Sequence, residues 1–170
     1  MHREETMKTA KLASFHVPQD QKLLAAFGEV ALRHEHMNHI VRMTIKSLAS
    51  LTSAEAVAAT RYESSRQLRD RAKALARKRL GEGTPLLKLQ AMLTTCGTLT
   101  DKRNDLVHGL WAKELDGNAH IRDALGHVRP LPTAQELLRL AKDIENHTNR
   151  LNIERLEGFL AEALAGRHNA

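Results

Sequence analysis

Aromatic residues are scarce in this chain, which has one tryptophan, one tyrosine and three phenylalanines among 170 residues. Proteins that grip single-stranded nucleic acid by stacking present aromatic side chains to successive bases. So few rings argue against a surface of that kind. Any contact with RNA is therefore expected to be mainly electrostatic.

Cysteine is scarcer still, because Cys96 is the only one. A single cysteine excludes a disulfide framework and a thiolate metal site, and it suits a reducing compartment. The first residues carry charges of both signs and no apolar run long enough for a signal peptide or a membrane span. We expect a cytoplasmic protein with no membrane partner.

The length and the charge balance set broad limits. A chain of 170 residues, 42% of them hydrophobic, can bury one sizeable core. We predict a flexible N-terminal tail over residues 1–18 and one folded domain over residues 19–166. The net charge of +6 favours anionic partners without the dense basic block of an obligate nucleic-acid binder, and it equally suits a basic protein with no such partner.

Apolar residues recur at helical spacing soon after Pro18 and predict a long amphipathic first helix. They are Leu23, Leu24, Phe27, Val30, Ala31, Met37, Val41, Ile45 and Leu48. Thr52 followed by Glu55 is typical of a capping box, which predicts a second helix that reaches about Leu80.

The second helix contains RQLRDRAKALARKRL, a cationic face with few acids to pair with it. Most charge runs of this kind are solvated helix faces. The imbalance could also hold a phosphate backbone, and both interpretations stay open.

Glycines at 81 and 83 predict the end of the second helix, and Thr84 is predicted to cap a third helix with Pro85 at its first position. Gly97 and the threonines near it weaken the helical pattern in the middle of this segment. We expect one broken helix, or two helices in line, reaching His108.

After Gly109 the apolar pattern changes period, and Asp116-Gly117 between two short runs predicts a β-hairpin. Thr133 with Glu136 forms another capping box and begins a final helix from about Ala134 to Ala165. The predicted fold is therefore mostly α, a bundle of four to five helices with one small β-hairpin.

The stretch RNDLVHGLW, residues 103–111, places an arginine five residues before a histidine. That spacing carries little information, since an arginine also precedes a histidine by five or six residues at Arg33–His39 and Arg122–His127. The setting of Arg103 and His108 differs, because they flank Asn104 at the predicted end of a helix. The plain alternative is a histidine hydrogen-bonded near a helix end and an arginine paired with Asp101 or Asp105.

RNDLVHGLW, a first helix that contains HEH, and a DG hairpin before TAQELL resemble the HEPN (higher eukaryotes and prokaryotes nucleotide-binding) family. Arg103, Asn104 and His108 match the family motif in order and spacing. The resemblance implies an HEPN-like helical bundle that pairs as a homodimer, with the two motifs meeting at the interface. It also implies that an earlier helix adds a polar residue to the site, for which Glu35 is the candidate.

Active members of that family are metal-independent endoribonucleases of toxin and antiphage systems. The resemblance therefore implies an enzyme without cofactor or metal that cleaves single-stranded RNA, with Arg103, His108, Asn104 and Glu35 in its site and a cognate antitoxin as a possible partner. The alternative is a catalytically silent HEPN module that binds RNA, nucleotide or a partner protein. A third possibility is a plain helical adaptor whose basic second helix docks an acidic protein.

Histidines cluster in RHEHMNH, residues 33–39, and invite a metal interpretation. His34 and His39 are five apart, one residue more than the four-residue spacing of zinc proteases, and His36 with His39 supplies only two ligands. His34 lies close to the apolar stripe, so we expect it to point inward with its polar atoms satisfied. No metal site is predicted.

Overall fold

The computed structural model describes residues 13–114 and 117–166. This part of the chain is mostly α-helical, with a small four-stranded antiparallel sheet. The helices are α1 (Gln21–Ala49), α2 (Ser53–Ala59), α3 (Ser65–Leu80), α4 (Thr84–Val107), α5 (Ala134–Leu156) and α6 (Phe159–Ala165). The strands are β1 (Ala13–Phe15), β2 (Leu110–Glu114), β3 (Ala119–Arg122) and β4 (Val128–Pro130).

Helix α1 begins where the Asp20 carboxylate accepts hydrogen bonds from the backbone N–H groups of Lys22 and Leu23. The predicted apolar stripe is largely confirmed, although Leu24 is exposed. The buried apolar side chains that α1 gives to the main core are Leu23, Ala26, Val30, Met37, Val41, Ile45 and Leu48. They pack mainly against α5, with α3 on another side, so α1 is the central helix of the bundle.

The capping box of Thr52 and Glu55 is confirmed: the carboxylate accepts the Thr52 N–H at 2.8 Å, and the threonine hydroxyl accepts the Glu55 N–H. The prediction of one second helix to Leu80 is wrong, because α2 ends at Ala59 and a second capping box, Ser64 with Gln67, starts α3. Two helices, each begun by its own capping box, therefore replace the single helix that was predicted.

Helix α4 is continuous through Gly97, whereas the sequence suggested a break. The hydroxyls of Thr94, Thr95 and Thr100 each donate to the carbonyl four residues earlier, so the helix absorbs these polar groups without interruption. Its N-cap is Gly83 rather than the predicted Thr84, so Pro85, predicted at the first helical position, lies at the second.

A hairpin follows α4 as predicted, since β2 pairs antiparallel with β3. Of the predicted Asp116-Gly117 turn, Asp116 lies outside the described residues. The sheet is larger than one hairpin, because β4 pairs with β3, and β1, in a segment predicted as tail, pairs with β2 at Phe15 and Ala112. The pairing of β1 with β2 joins segments about a hundred residues apart, which local patterns do not reveal.

The last predicted helix is divided into α5 and α6. The capping box of Thr133 and Glu136 that begins α5 is confirmed. The chain leaves helical geometry after Leu156, and the Glu154 carboxylate then accepts the N–H of Phe159, the first residue of α6. A side chain thus caps the new helix where the sequence suggested continuation.

Within residues 13–114 and 117–166, no helix combines the length and the apolar composition needed to cross a bilayer.

Candidate nucleic-acid site at the end of helix α4

His108 caps the C-terminal end of α4, and its backbone N–H donates to the Asn104 carbonyl at 2.8 Å. Its side chain is exposed, and the imidazole has no hydrogen bond to any of the described residues. The helix end therefore uses the backbone of His108 and leaves both ring nitrogens available for a ligand.

His108 and Asn104 line a cleft of about 470 Å³ between the end of α4 and the turn that joins β3 to β4. Arg129 lines the same cleft, and its Nη2 donates to the Asp105 carbonyl at 2.8 Å. Because that carbonyl belongs to the last turn of α4, the bond fixes a guanidinium beside the imidazole. A cleft of this size suits a small ligand or one nucleotide of a longer one.

Arg103 is half-buried, and its Nη1 donates to Asn104 Oδ1 at 3.1 Å. The alternative pairing with Asp101 or Asp105 does not form among the described residues. Arg103 Nε is buried and has no hydrogen-bond partner there. The side chain does not line the cleft of His108, so within one chain Arg103 and His108 are linked only through Asn104.

Glu35 lies on the exposed face of α1, where its carboxylate accepts hydrogen bonds from Arg42 Nη1 at 3.0 Å and Asn38 Nδ2 at 3.2 Å. The pKa of Glu35 lies below its usual value. Partial burial acts to raise it, but the hydrogen bonds from Arg42 and Asn38 lower it by more. The structure does not bring Glu35 to the motif residues.

The α1 residue that reaches α4 is His34, which is 3% exposed and confirms the inward orientation expected for it. Its Nε2 lies 3.2 Å from the Oγ1 of Thr100. The Thr100 hydroxyl donates to the Cys96 carbonyl at 2.7 Å, so its oxygen accepts from Arg69 Nη1 and from His34. Nε2 of His34 must therefore carry the hydrogen.

Burial, with smaller contributions from the positive charges of Arg103 and Arg69, lowers the pKa of His34 to about 4 against the opposing effect of Glu35. The ring is neutral at physiological pH. It can therefore lie beside two guanidinium groups without repelling them, but it is not a proton donor of the imidazolium type.

Arg69 of α3 is the member of this group that the sequence did not reveal. It bonds to Thr100 across 31 residues, and its guanidinium packs against Gly97 of α4. No local pattern links the two segments, and the only sequence signal was the excess of cations on this helix.

Trp111 ties the end of α4 to the sheet. Its indole Nε1 donates to the Leu106 carbonyl at 2.9 Å, and its ring meets Phe27 edge to face with centroids 5.7 Å apart. The carbonyls of the last helical turn have no partner within the helix, so this bond satisfies one of them. The single tryptophan thereby fixes the segment that carries His108.

Among residues 13–114 and 117–166, no three histidine, cysteine or acidic side chains form a group that could hold a metal ion. Burial raises the pKa of the Cys96 thiol to about 12, so it is not a thiolate at neutral pH. The side chains that line the cleft of His108 offer imidazole, guanidinium, amide and carboxylate groups, the carboxylates being those of Asp105 and Asp123.

Comparisons with known proteins add no further constraint. No family model matches the chain, and neither a curated protein nor a solved structure matches it. The likeness to HEPN proteins therefore depends on the motif and on the helical layout.

Proposed function

We propose that this protein is a metal-independent endoribonuclease of HEPN type that cleaves single-stranded RNA as a homodimer. The observation that carries the proposal is the exposed, unpartnered imidazole of His108 in a cleft with Asn104 and Arg129. A buried histidine, or one with both ring nitrogens occupied, could not exchange protons with a substrate.

The reaction needs three functions. A base removes the proton of the ribose 2′-OH, whose oxygen attacks the phosphorus, and an acid gives a proton to the departing 5′ oxygen as the P–O5′ bond breaks. Positive charge stabilises the crowded phosphorane between these steps. The products are a 2′,3′-cyclic phosphate and a 5′-hydroxyl.

A neutral imidazole can serve as the base and an imidazolium as the acid, so the full cycle uses two. In the proposed dimer, His108 from each chain supplies one. Arg103 suits the phosphate because its charge is permanent and its planar fork matches two phosphate oxygens. Asn104, bonded to Arg103, positions that guanidinium.

One other exposed imidazole lies near the cleft and gives the main competing arrangement. His127 Nδ1 is 2.9 Å from Asp123 Oδ2, and Asp123 lines the same cleft as His108. A site built from His108 and His127 would need only one chain. The variant His127→Ala distinguishes the two arrangements, because the dimer site retains its activity when His127 is removed.

The direct test uses the purified full chain, a labelled single-stranded RNA and EDTA, with identification of the product ends. His108→Ala and Arg103→Ala are each expected to lower the cleavage rate by about 100-fold or more. His36→Ala, which removes an exposed histidine from α1, is the matched control and should cleave normally. Equal activity of His108→Ala and wild type would refute the proposal.

The alternative is a catalytically silent HEPN module that binds RNA, nucleotide or a partner protein. The position of Arg103 favours it, because this side chain is half-buried and outside the cleft that holds His108. Salt-dependent RNA binding without cleavage by wild-type protein would select this alternative.

A further inference from the structure

We propose that Arg69, Lys73 and Arg77 of α3, here called the α3 stripe, form a track that holds the phosphate backbone of single-stranded RNA leading into the site. The proposal rests on the proposed function for its substrate. It adds a binding surface outside the motif and gives a role to the basic helix.

The charge of α3 is one-sided. Within Ser65–Leu80 the basic residues are Arg66, Arg69, Arg71, Lys73, Arg77, Lys78 and Arg79, against the single acid Asp70. Two of these cations are already paired, Arg66 with Asp70 and Arg71 with Glu63. The three members of the α3 stripe form no ion pair with any described residue, so no carboxylate there neutralises their charge. Arg77 is exposed and Lys73 is half-buried, while the half-buried Arg69 already donates one hydrogen bond to Thr100.

The stripe follows from helix geometry. Its members recur every fourth residue, which puts them on one face with about 6 Å between successive positions along the axis. Leu68, Ala72 and Ala76 precede them by one residue each and are buried in the core. Their packing fixes the orientation of α3, and with it the line of cations.

One end of the stripe reaches α4 one turn before Arg103, outside the cleft of His108. Arg69 donates to Thr100, and Thr100 lies three residues before Arg103 on the same face of α4. Arg69 and Arg103 also act together on the buried ring of His34. The stripe therefore begins beside Arg103 and runs back along α3 toward the turn at 81–83.

The chemistry of this face favours a phosphate backbone over an acidic protein. Protein interfaces usually centre on buried apolar or aromatic side chains. Along Ser65–Leu80 no large apolar side chain is exposed, whereas the regular spacing of cations suits a polyanion. Since each contact would release counterions, binding through the stripe must weaken steeply with salt.

The test measures binding of a labelled oligouridine to the full chain by fluorescence anisotropy over a range of KCl concentrations. Every protein also carries His108→Ala, which prevents cleavage during the titration. The variant Lys73→Ala with Arg77→Ala removes two stripe cations. The control, Arg139→Ala with Lys142→Ala, removes one arginine and one lysine from the exposed surface of α5.

We expect the stripe variant to raise the Kd about tenfold and to reduce the slope of log K against log salt by about 0.7 for each cation removed. The control should bind as the parent does. Circular dichroism verifies that both variants fold.

Equal affinity of the stripe variant, the control and the parent would overturn the track, and so would absence of RNA binding by the parent. A parallel titration with poly-glutamate tests the acidic protein partner. If the stripe variant loses poly-glutamate binding while its RNA affinity is unchanged, the RNA track is overturned in favour of that partner. If wild-type protein binds RNA through the stripe but does not cut it, the nuclease proposal fails and the track stands.

Discussion

His34 and Thr100 meet in the interior of the helical bundle, where His34 Nε2 lies 3.2 Å from Thr100 Oγ1. The contact joins α1 to α4 one turn before Arg103, and Arg69 of α3 completes it. The site is therefore attached to the core through a neutral histidine, which has consequences for stability.

Stability should fall as the pH is lowered from 6.5 toward 4. The pKa of His34 is about 4 in the folded protein and 6.5 in the unfolded chain, so over this range only the unfolded chain binds the proton. We expect the free energy of unfolding to drop by on the order of 2 kcal/mol between these limits. Urea denaturation at several pH values measures it.

His34→Leu provides the control for this pH effect. The Thr100 hydroxyl keeps its bonds to Cys96 and Arg69 in this variant. The surface carboxylates other than Glu35, whose pKa is coupled to His34, titrate in the same way in both proteins, so the difference between the two pH profiles reports mainly on His34. Parallel profiles would contradict the assignment of a lowered pKa to this residue.

Trp111→Phe tests the link between α4 and the sheet. The change removes the indole N–H and leaves the Leu106 carbonyl without its partner, which should cost about 1–2 kcal/mol of unfolding free energy. Tyr62→Phe removes a polar atom from a side chain that is 88% exposed and should change little. A similar small effect of both substitutions would show that the indole bond does not stabilise the helix end.

Gly109→Ala should destabilise the protein because a Cβ there would lie 2.3 Å from Ile121 Cγ2 and 2.8 Å from the Asp105 carbonyl oxygen. The expected cost is about 2 kcal/mol by thermal or urea denaturation. Gly28→Ala in α1 meets no atom within 4 Å and should stabilise the protein by about 0.5–1 kcal/mol. A neutral or stabilising effect of Gly109→Ala would contradict the close approach of β3 to residue 109.

Local signals predicted those elements whose stabilising contacts are themselves local. The capping boxes at Thr52 and Thr133 involve residues three apart, so the sequence displays both partners. Ser64 with Gln67 has the same form and could have been recognised, which would have divided α2 from α3. The sequence could likewise have shown that His34, four residues after the buried Val30, lies on the inward face of α1 and that Glu35 does not.

Long-range contacts could not be predicted in this way. Strand β1 owes its existence to pairing with β2, about a hundred residues away, and its three residues carry no pattern of their own. Arg69 meets Thr100 only because the turn at 81–83 folds α3 back on α4. The motif identified Arg103, Asn104 and His108, but their environment depends on such contacts.

The measurement that tests the central claim most directly is RNA cleavage by mixtures of wild-type protein and His108→Ala at constant total concentration. If two copies of His108 form one site, random pairing leaves about one quarter of the dimers fully wild type in an equal mixture, and activity should fall to that fraction. Activity of about one half would mean that each chain works alone and would contradict the shared site. Full activity of His108→Ala by itself, or no cleavage by wild type, would contradict the nuclease altogether.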